Sequence, residues 1–526
     1  MVRPILGRGC HDLGVSNAAD PTTPESPSPG FAPSGTAGLG PRAAAALVFG
    51  SSASVLVVEL VALRLLAPYL GLTLETSTLV IGVALAAIAL GAWAGGRAAD
   101  VLKPRRALAP LLAVSGVAVA VTPAAIRSAA AVSDGVLLLL VAALTIIFPG
   151  ALLAAVSPMV TKLRLRSLDD TGTVVGQLSG IGTAGGIFGT VMTGFVLISR
   201  VPVSAIMVGL GTVLVVVAAV LELRARRSKM VGLSALLIAA GGGAVAVVPD
   251  SCDAETTYHC AQVVTDPERP SGRVLMLDGA RHSYVDLEDP TYLEYDYAKA
   301  LVSVIDTAYP TGQPLRAYHI GGGGLTVPRY LASVRPGTTS LVSEIDPGVV
   351  RIDVERLQLR TGAGIDVRVE DGRLGLRRLP DDSQDLVVGD AFGGVSVPWH
   401  LTTTEAVADV QRVLDADGSY VLNLIDFGRL SFARAEVATL AGVFEHVALA
   451  TETDTLRSGP KAGGNFVVVA SNAPIDVAGI ADRIGDRGAA WQVITGPELT
   501  AWTGGARTLT DDYAPVDQLL TPYPSR

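Results

Sequence analysis

Charge is what this 526-residue chain has least of: 17% of its residues are Asp, Glu, Lys or Arg, against roughly 25% in soluble domains. That argues against an ordinary cytosolic enzyme. Cysteine is scarce as well, with Cys10, Cys252 and Cys260 only. No His/Cys set beyond His259 has metal-ligand spacing, so no metal site is expected. No basic stripe faces outward as a nucleic-acid binder would need. Residues 1–41 are rich in Pro, Ser, Gly and Thr and read as a disordered tail. They lack the apolar run and cleavage site of a signal peptide.

The charge that is present is divided unevenly. Residues 43–249 carry 14 basic and 7 acidic side chains, a net of +7, whereas residues 250–526 carry 23 basic and 39 acidic, a net of −16. A basic, apolar half is thus joined to an acidic, polar one, and a single uniform globule is excluded. The first half, 42–249, reads as a transmembrane helical domain. Apolar runs near 43–70, 76–96, 107–126, 135–161, 171–199, 201–221 and 230–248 are each long enough to cross a bilayer. Seven helices are expected, and the short gap at 199–201 leaves a re-entrant fifth and sixth as the alternative. Basic residues cluster at 97–106, 162–166 and 224–229, while the alternate loops offer Arg127 and Arg200. That pattern makes the basic loops cytoplasmic, and seven crossings then put the second half outside. Glu59 and Arg64 interrupt the first span, where ionisable groups are functional suspects. Arg64 is close enough to the end to snorkel. Gly180, Gly182, Gly185, Gly186, Gly189 and Gly194 have the small-residue spacing that lets helix backbones approach.

The second half alternates short β-rich runs with amphipathic segments. A small β-rich region is expected at 250–314, with strands at 274–277 and 283–287 around the turn Asp278-Gly279. Residues 315–526 then read as a Rossmann-like, mainly parallel, doubly wound sheet, whose ligands sit at the carboxyl ends of the strands. Four successive strands end in Gly or an acid: Gly321, Gly322 and Gly323 with Gly324, then Glu344, then Asp371 with Gly372, then Asp390. A glycine turn lets the backbone approach a ligand and aims helix N–H groups at it. An acid some twenty residues later can accept both ribose hydroxyls. Together they point to a nucleoside-type ligand.

This arrangement resembles the spermidine synthase (polyamine aminopropyltransferase) family, in particular its membrane-fused branch, over roughly residues 255–470. Gly321–Gly324 is similar to that family's first nucleoside-binding loop, Val342–Pro347 to its ribose-binding strand end, and Glu370-Asp371-Gly372 to its adenine-side motif. Gly389-Asp390 stands where the family has its catalytic Asp, followed by a segment, Val397–Glu405, similar to its gatekeeping loop. Tyr258-His259, Leu277-Asp278-Gly279 and Tyr292–Tyr297 resemble its N-terminal β-region and amine-site tyrosines. Val58–Leu66 in the first helix and Leu509–Asp512 with Pro515-Val516 look like the fused branch. The chain departs from the pattern in three places. Gly324-Leu325 replaces an Asp in the glycine loop, Ala391-Phe392-Gly393 replaces polar residues after the catalytic Asp, and His259 stands where Gln is usual.

The resemblance implies transfer of an aminopropyl group from decarboxylated S-adenosylmethionine to a polyamine such as putrescine, with no tightly bound cofactor and with a homodimer allowed. Alkyl amines have pKa near 10, so a carboxylate must orient the attacking amine and take its proton; Asp390 is the candidate. Tyr295, Asp296 or Tyr297 could hold the other end of a diamine, and the −16 half suits a cationic substrate. The alternatives are an S-adenosylmethionine-dependent methyltransferase, or a non-catalytic nucleoside or polyamine sensor working with the helices. Cys252 and Cys260, eight apart at the start of the polar half, are expected to pair as a disulfide, a bond that persists outside the cytoplasm. The expected donor is cytosolic. Either one apolar segment does not span, or the domain works outside on another ligand.

Overall fold

A computed structural model of the chain describes residues 39–520 except 71–73, 133–135, 166–170, 199, 225–251, 363 and 457–461. The first half is all helix: α1 Pro41–Leu70, α2 Leu74–Val101, α3 Pro104–Val132, α4 Val136–Ala154, α5 Val156–Arg164, α6 Thr171–Met192 and α7 Val203–Arg224. The α4 and α5 segments form one span, broken at Ala155. Pro158 cannot donate to the Ala154 carbonyl, which interrupts the ladder there. The α6 helix ends in a π turn over Thr193–Leu197. Six spans among the described residues are long and apolar enough to cross a membrane. The sequence suggested seven; the seventh, at 230–248, lies outside the described residues, as do the tail to residue 38 and Cys10.

The glycine stripe serves α6 only in part. A Cβ on Gly185 would overlap the Phe49 carbonyl of α1, and one on Gly189 would come within 2.5 Å of the Ala53 carbonyl. Gly182 and Gly186 also face α1, whereas Gly180 and Gly194 face open space.

The bundle has two unlike ends. At one, Lys162 pairs with Asp100 and Arg164 donates to the Leu39 carbonyl, so the basic stretches gather there with the start of α1. The other end carries the polar half. Arg64 of α1 donates to the carbonyls of Tyr258 and Thr256. Arg127 of α3 pairs with Glu255 at 2.9 Å, and Ser204 of α7 donates to the same carboxylate at 3.0 Å. The first amide of α2, Leu74 N, donates to Asp517 at 2.9 Å, an anion at a helix N-terminus.

The polar half contains two sheets. The first is antiparallel in the order β1 Ala254–Glu255, β2 Cys260–Thr265, β3 Gly272–Leu277, β4 Ala280–Asp286, two strands more than its sequence suggested. The second has eight strands: β5 Arg316–Ile320, β6 Thr339–Glu344, β7 Ile365–Val369, β8 Gln384–Gly389, β9 Leu414–Phe427, β10 His446–Glu452, β11 Gly463–Ser471 and β12 Trp491–Thr495. Their order is β12-β10-β11-β9-β8-β5-β6-β7. The pairs from β9 to β7 are parallel, and those among β9, β11, β10 and β12 antiparallel. The sheet is therefore mixed rather than mainly parallel. Only ten residues separate β10 from β11, fewer than a parallel crossover needs, which suits antiparallel return. Helix α8, Asp296–Ala308, packs Leu301, Val304 and Ile305 against this sheet.

If Gly185 sets the α1–α6 approach, Gly185→Leu should destabilise the detergent-solubilised protein by about 1–3 kcal/mol, the usual cost of overpacking. Gly180→Leu should leave its thermal midpoint unchanged. Equal midpoints for the two variants would show that the stripe does not set the packing.

Candidate functional site

The four parallel strands β8-β5-β6-β7 are neighbours in space, so the four ends singled out in the sequence come together along one edge. Chain order reverses between β5 and β8, which makes this the switch point where such sheets bind ligands. Asp390 N donates to the Ile320 carbonyl at 2.9 Å. Gly321, at φ +99°, passes so close to Asp390 that a Cβ there would overlap its carbonyl. Only glycine fits.

Glu344, at the end of β6, is buried. Its Oε2 accepts from Gly322 N at 2.7 Å and its Oε1 from Asp346 N at 2.8 Å. Burial raises its pKa, and these two backbone bonds oppose the rise. A carboxylate has about four acceptor positions, so two remain for ligand hydroxyls. Asp371 caps the helix Gly372–Arg377 through Leu374 N, while its other oxygen meets His400 Nε2 at 2.9 Å. Gly372 lies against Ile320 and its carbonyl accepts from Tyr318. A cavity of about 80 Å³ runs between these groups, lined by Gly321–Gly323, Glu344, Asp371, Gly372, His400 and Asp390. His259 also lines it, held by Asp278 at 2.8 Å.

A larger cavity, about 490 Å³, opens on the other side of Asp390. Glu294, Asp296 and Glu452 give it acid, and Tyr295, Tyr297 and Trp491 give it aromatic walls. Tyr295 and Tyr297 stack at 6.1 Å, and the buried Tyr295 hydroxyl has no hydrogen-bond partner among the described residues. It is therefore a polar atom in reserve for a ligand. Asp296 is also spoken for locally, pairing with Lys299 at 2.7 Å. Burial pushes the Tyr297 hydroxyl well above its usual range, with the nearby Asp390 charge adding to this.

Asp390 stands where the two cavities meet. Its Oδ1 accepts from Asn423 Nδ2 at 3.0 Å, and Asn423 in turn is held by Asn465 at 3.0 Å. Burial on the cavity floor raises its pKa to about 6, which the Asn423 bond moderates. His282 lines both cavities too. It packs edge-on to Phe392 and beneath Gly323, and burial lowers its pKa to about 4, so it is neutral at pH 7. Ser283 beside it fills the space a side chain at Gly324 would need.

The sequence reading missed His282, His400, Asn423, Glu452 and Trp491 as site residues. Alternation along β4 from the Asp278-Gly279 turn could have found His282. Cys252 and Cys260 are joined by a disulfide, with Cα atoms 5.2 Å apart. Among the described residues no group of His, Cys, Asp and Glu could hold a metal ion.

The fold is an α/β domain of the methyltransferase-like class, with two cavities meeting at Asp390, docked on a bundle of helices long and apolar enough to cross a membrane. No protein-family model matches the chain. It is similar to the polyamine aminopropyltransferase of Vibrio vulnificus (strain CMCP6), with 31% identity over 134 residues, covering 25% of this chain and 44% of that protein. It is also similar to a probable polyamine aminopropyl transferase of Bifidobacterium longum (strain NCC 2705), at 27% over 194 residues, 36% of this chain and 42% of that one. The chain thus spans less than half the length of these two curated relatives. Among solved structures, a probable spermidine synthase from Corynebacterium glutamicum ATCC 13032 is 26% identical. That match covers 49% of this chain and 95% of the other, with a TM-score of 0.46. The curated relatives bear out the resemblance to polyamine aminopropyltransferases that the motifs indicated.

A carboxyl whose pKa is raised on folding destabilises the fold once ionised. The cost is absent below about pH 4, grows as pH rises toward the folded pKa of about 6, and is complete above it. Asp390→Asn should therefore stabilise the protein at pH 8 by about 1–2 kcal/mol, allowing for solvent in the cavity, and by little at pH 4. Thermal midpoints at the two pH values measure this.

Proposed function

We propose that the protein is a membrane-anchored aminopropyltransferase, using decarboxylated S-adenosylmethionine as donor and a polyamine such as putrescine as acceptor. The observation that carries the reading is the meeting of two chemically unlike cavities at Asp390. The narrow glycine-walled one suits a nucleoside, with ribose hydroxyls on Glu344 and the base beside Asp371 and His400. The wide acidic and aromatic one suits an alkyl diamine, whose ammonium groups favour carboxylates and aromatic faces.

In the reaction, the lone pair of a neutral acceptor amine attacks the propyl carbon next to the sulfonium. The C–N bond forms as the C–S bond breaks, and the electron pair leaves on sulfur as the neutral thioether nucleoside. The new ammonium gives its proton to Asp390. A carboxylate can do this only when ionised, so turnover should fall about tenfold per pH unit below about pH 6. The neutral His282 adds no positive charge against the sulfonium.

The same reading places the polar half on the extracytoplasmic side. It docks on the end of the bundle opposite the stretches 97–106 and 162–166, whose basic residues mark the cytoplasmic face. The Cys252–Cys260 disulfide suits that compartment. The nucleoside donor would then have to be supplied on that side.

With full-length protein in nanodiscs, decarboxylated S-adenosylmethionine and putrescine should yield spermidine and methylthioadenosine by mass spectrometry. Asp390→Asn should lower kcat by about 10²–10⁴-fold. Absence of product with any diamine or triamine, or full activity in the variant, would overturn the assignment. For the side, alkaline phosphatase fused after Arg526 should be active in cells. A fluorescent cytoplasmic reporter at the same point would instead place the domain inside.

A further inference from the structure

Arg64 lines neither of the two cavities that meet at Asp390. It lies near the end of the mainly apolar span Pro41–Leu66, which also holds Arg42 and Glu59, and points out of the bundle end into the turn between β1 and β2. There its guanidinium donates to the carbonyls of Tyr258 and Thr256, the second at 3.2 Å. A planar fork of donors suits two carbonyls of one turn.

The turn it holds is not a peripheral loop. Thr256 Oγ1 donates to Asp346 Oδ2, and Tyr258 N donates to the same oxygen at 2.9 Å. Asp346 N donates to Glu344 Oε1 at 2.8 Å, and the other Glu344 oxygen accepts from Gly322 N at 2.7 Å. An unbroken series of hydrogen bonds therefore runs from a membrane helix to the glycine loop. The Cys252–Cys260 disulfide closes the segment that contains the turn, and the next residue, His259, lines the nucleoside cavity. A second anchor nearby, Arg127–Glu255–Ser204, docks the same region through the Glu255 carboxylate.

We propose that Arg64 is a positioning residue of the nucleoside site. By fixing the 256–258 turn it sets Asp346, and through Asp346 the orientation of Glu344 and the glycine loop, so that the helical bundle and nucleoside binding are energetically coupled. The inference rests on the nucleoside reading of that cavity. The bundle then acts as part of the binding site as well as its anchor.

Methylthioadenosine binding to the full-length protein in nanodiscs, measured by calorimetry, tests this. Wild-type binding tests the nucleoside reading itself, and its absence would overturn both ideas. Given binding, Arg64→Met should weaken it about tenfold, within the ordinary range of coupling between sites, and Arg64→Lys should recover part of the loss. Thr256→Val removes one bond of the turn to Asp346, leaving the backbone donor Tyr258 N, and does not alter the bundle. It should weaken binding similarly, and the double variant Arg64→Met/Thr256→Val should be no weaker than the worse single one. Glu255→Gln loosens docking only and should stay within about twofold of wild type. Unchanged affinity in both Arg64→Met and Thr256→Val would overturn the coupling. So would an equal loss in Glu255→Gln, since docking alone would then account for it.

Discussion

The carboxylate of Asp346 is the point on which three parts of the molecule converge. It is fully buried, yet it stands among N–H and O–H groups: Gly348 N at the start of its own helix, Tyr258 N, and the Thr256 hydroxyl. A buried charge is tolerable only when hydrogen-bonded on several sides. Its donors come from the turn between β1 and β2 and from the helix that follows β6, and that turn also receives Arg64 from the bundle. Removing this one acid would leave orphaned donors in the turn and at the helix start together.

Other buried acids show how the site differs from its surroundings. Asp353 accepts from Gly324 N at 3.0 Å behind the glycine loop, and burial holds its pKa well above the usual range. Glu436 is buried in the helix Ser431–Ala441, likewise with its pKa raised by burial. These groups face packed protein. Asp390 faces a cavity, and burial raises its pKa to about 6 against the opposing Asn423 bond. It can therefore change protonation near neutral pH. That is the environment a proton acceptor needs, and it arises from position at a strand end rather than from residue type.

Much of this was readable beforehand because the relevant signals are local. A glycine run after an apolar strand, and acids closing the next three strands, need only strand order along the chain to be recognised. What the sequence reading missed depends on pairing. The β2 strand shows little apolar alternation, since only Cys260 and Ala261 of its six residues are buried. The β12 strand is an edge strand with one buried residue, Ile494. Asn423, Glu452 and Trp491 reach the large cavity because β9, β11, β10 and β12 pair antiparallel in that order, a register that periodicity does not disclose. Conversely, Leu509–Asp512 was read as a mark of the fused branch, and its physical role is now plain. Asp511 holds Arg373 in a two-point ion pair at 2.7 and 2.8 Å and accepts from Thr403, tying the C-terminal region to the loop beside the glycine-walled cavity.

The contacts between the two halves also sharpen the charge argument for orientation. Counting residues gives the face under the polar half Arg64, Arg127 and Arg200. Of these, Arg127 is neutralised by Glu255 and Arg64 is buried against the carbonyls of Thr256 and Tyr258. Their charges belong to the interface that holds the domain and are not displayed by a loop. The opposite face keeps Lys103, Arg105 and Arg106 in or beside a short connection. The contrast between the two ends agrees with the proposed orientation, in which the basic end is the cytoplasmic one. The basic stretches of the first half and the acidic second half lie at opposite ends of the bundle, and Arg64 and Arg127 join the helices to the polar domain.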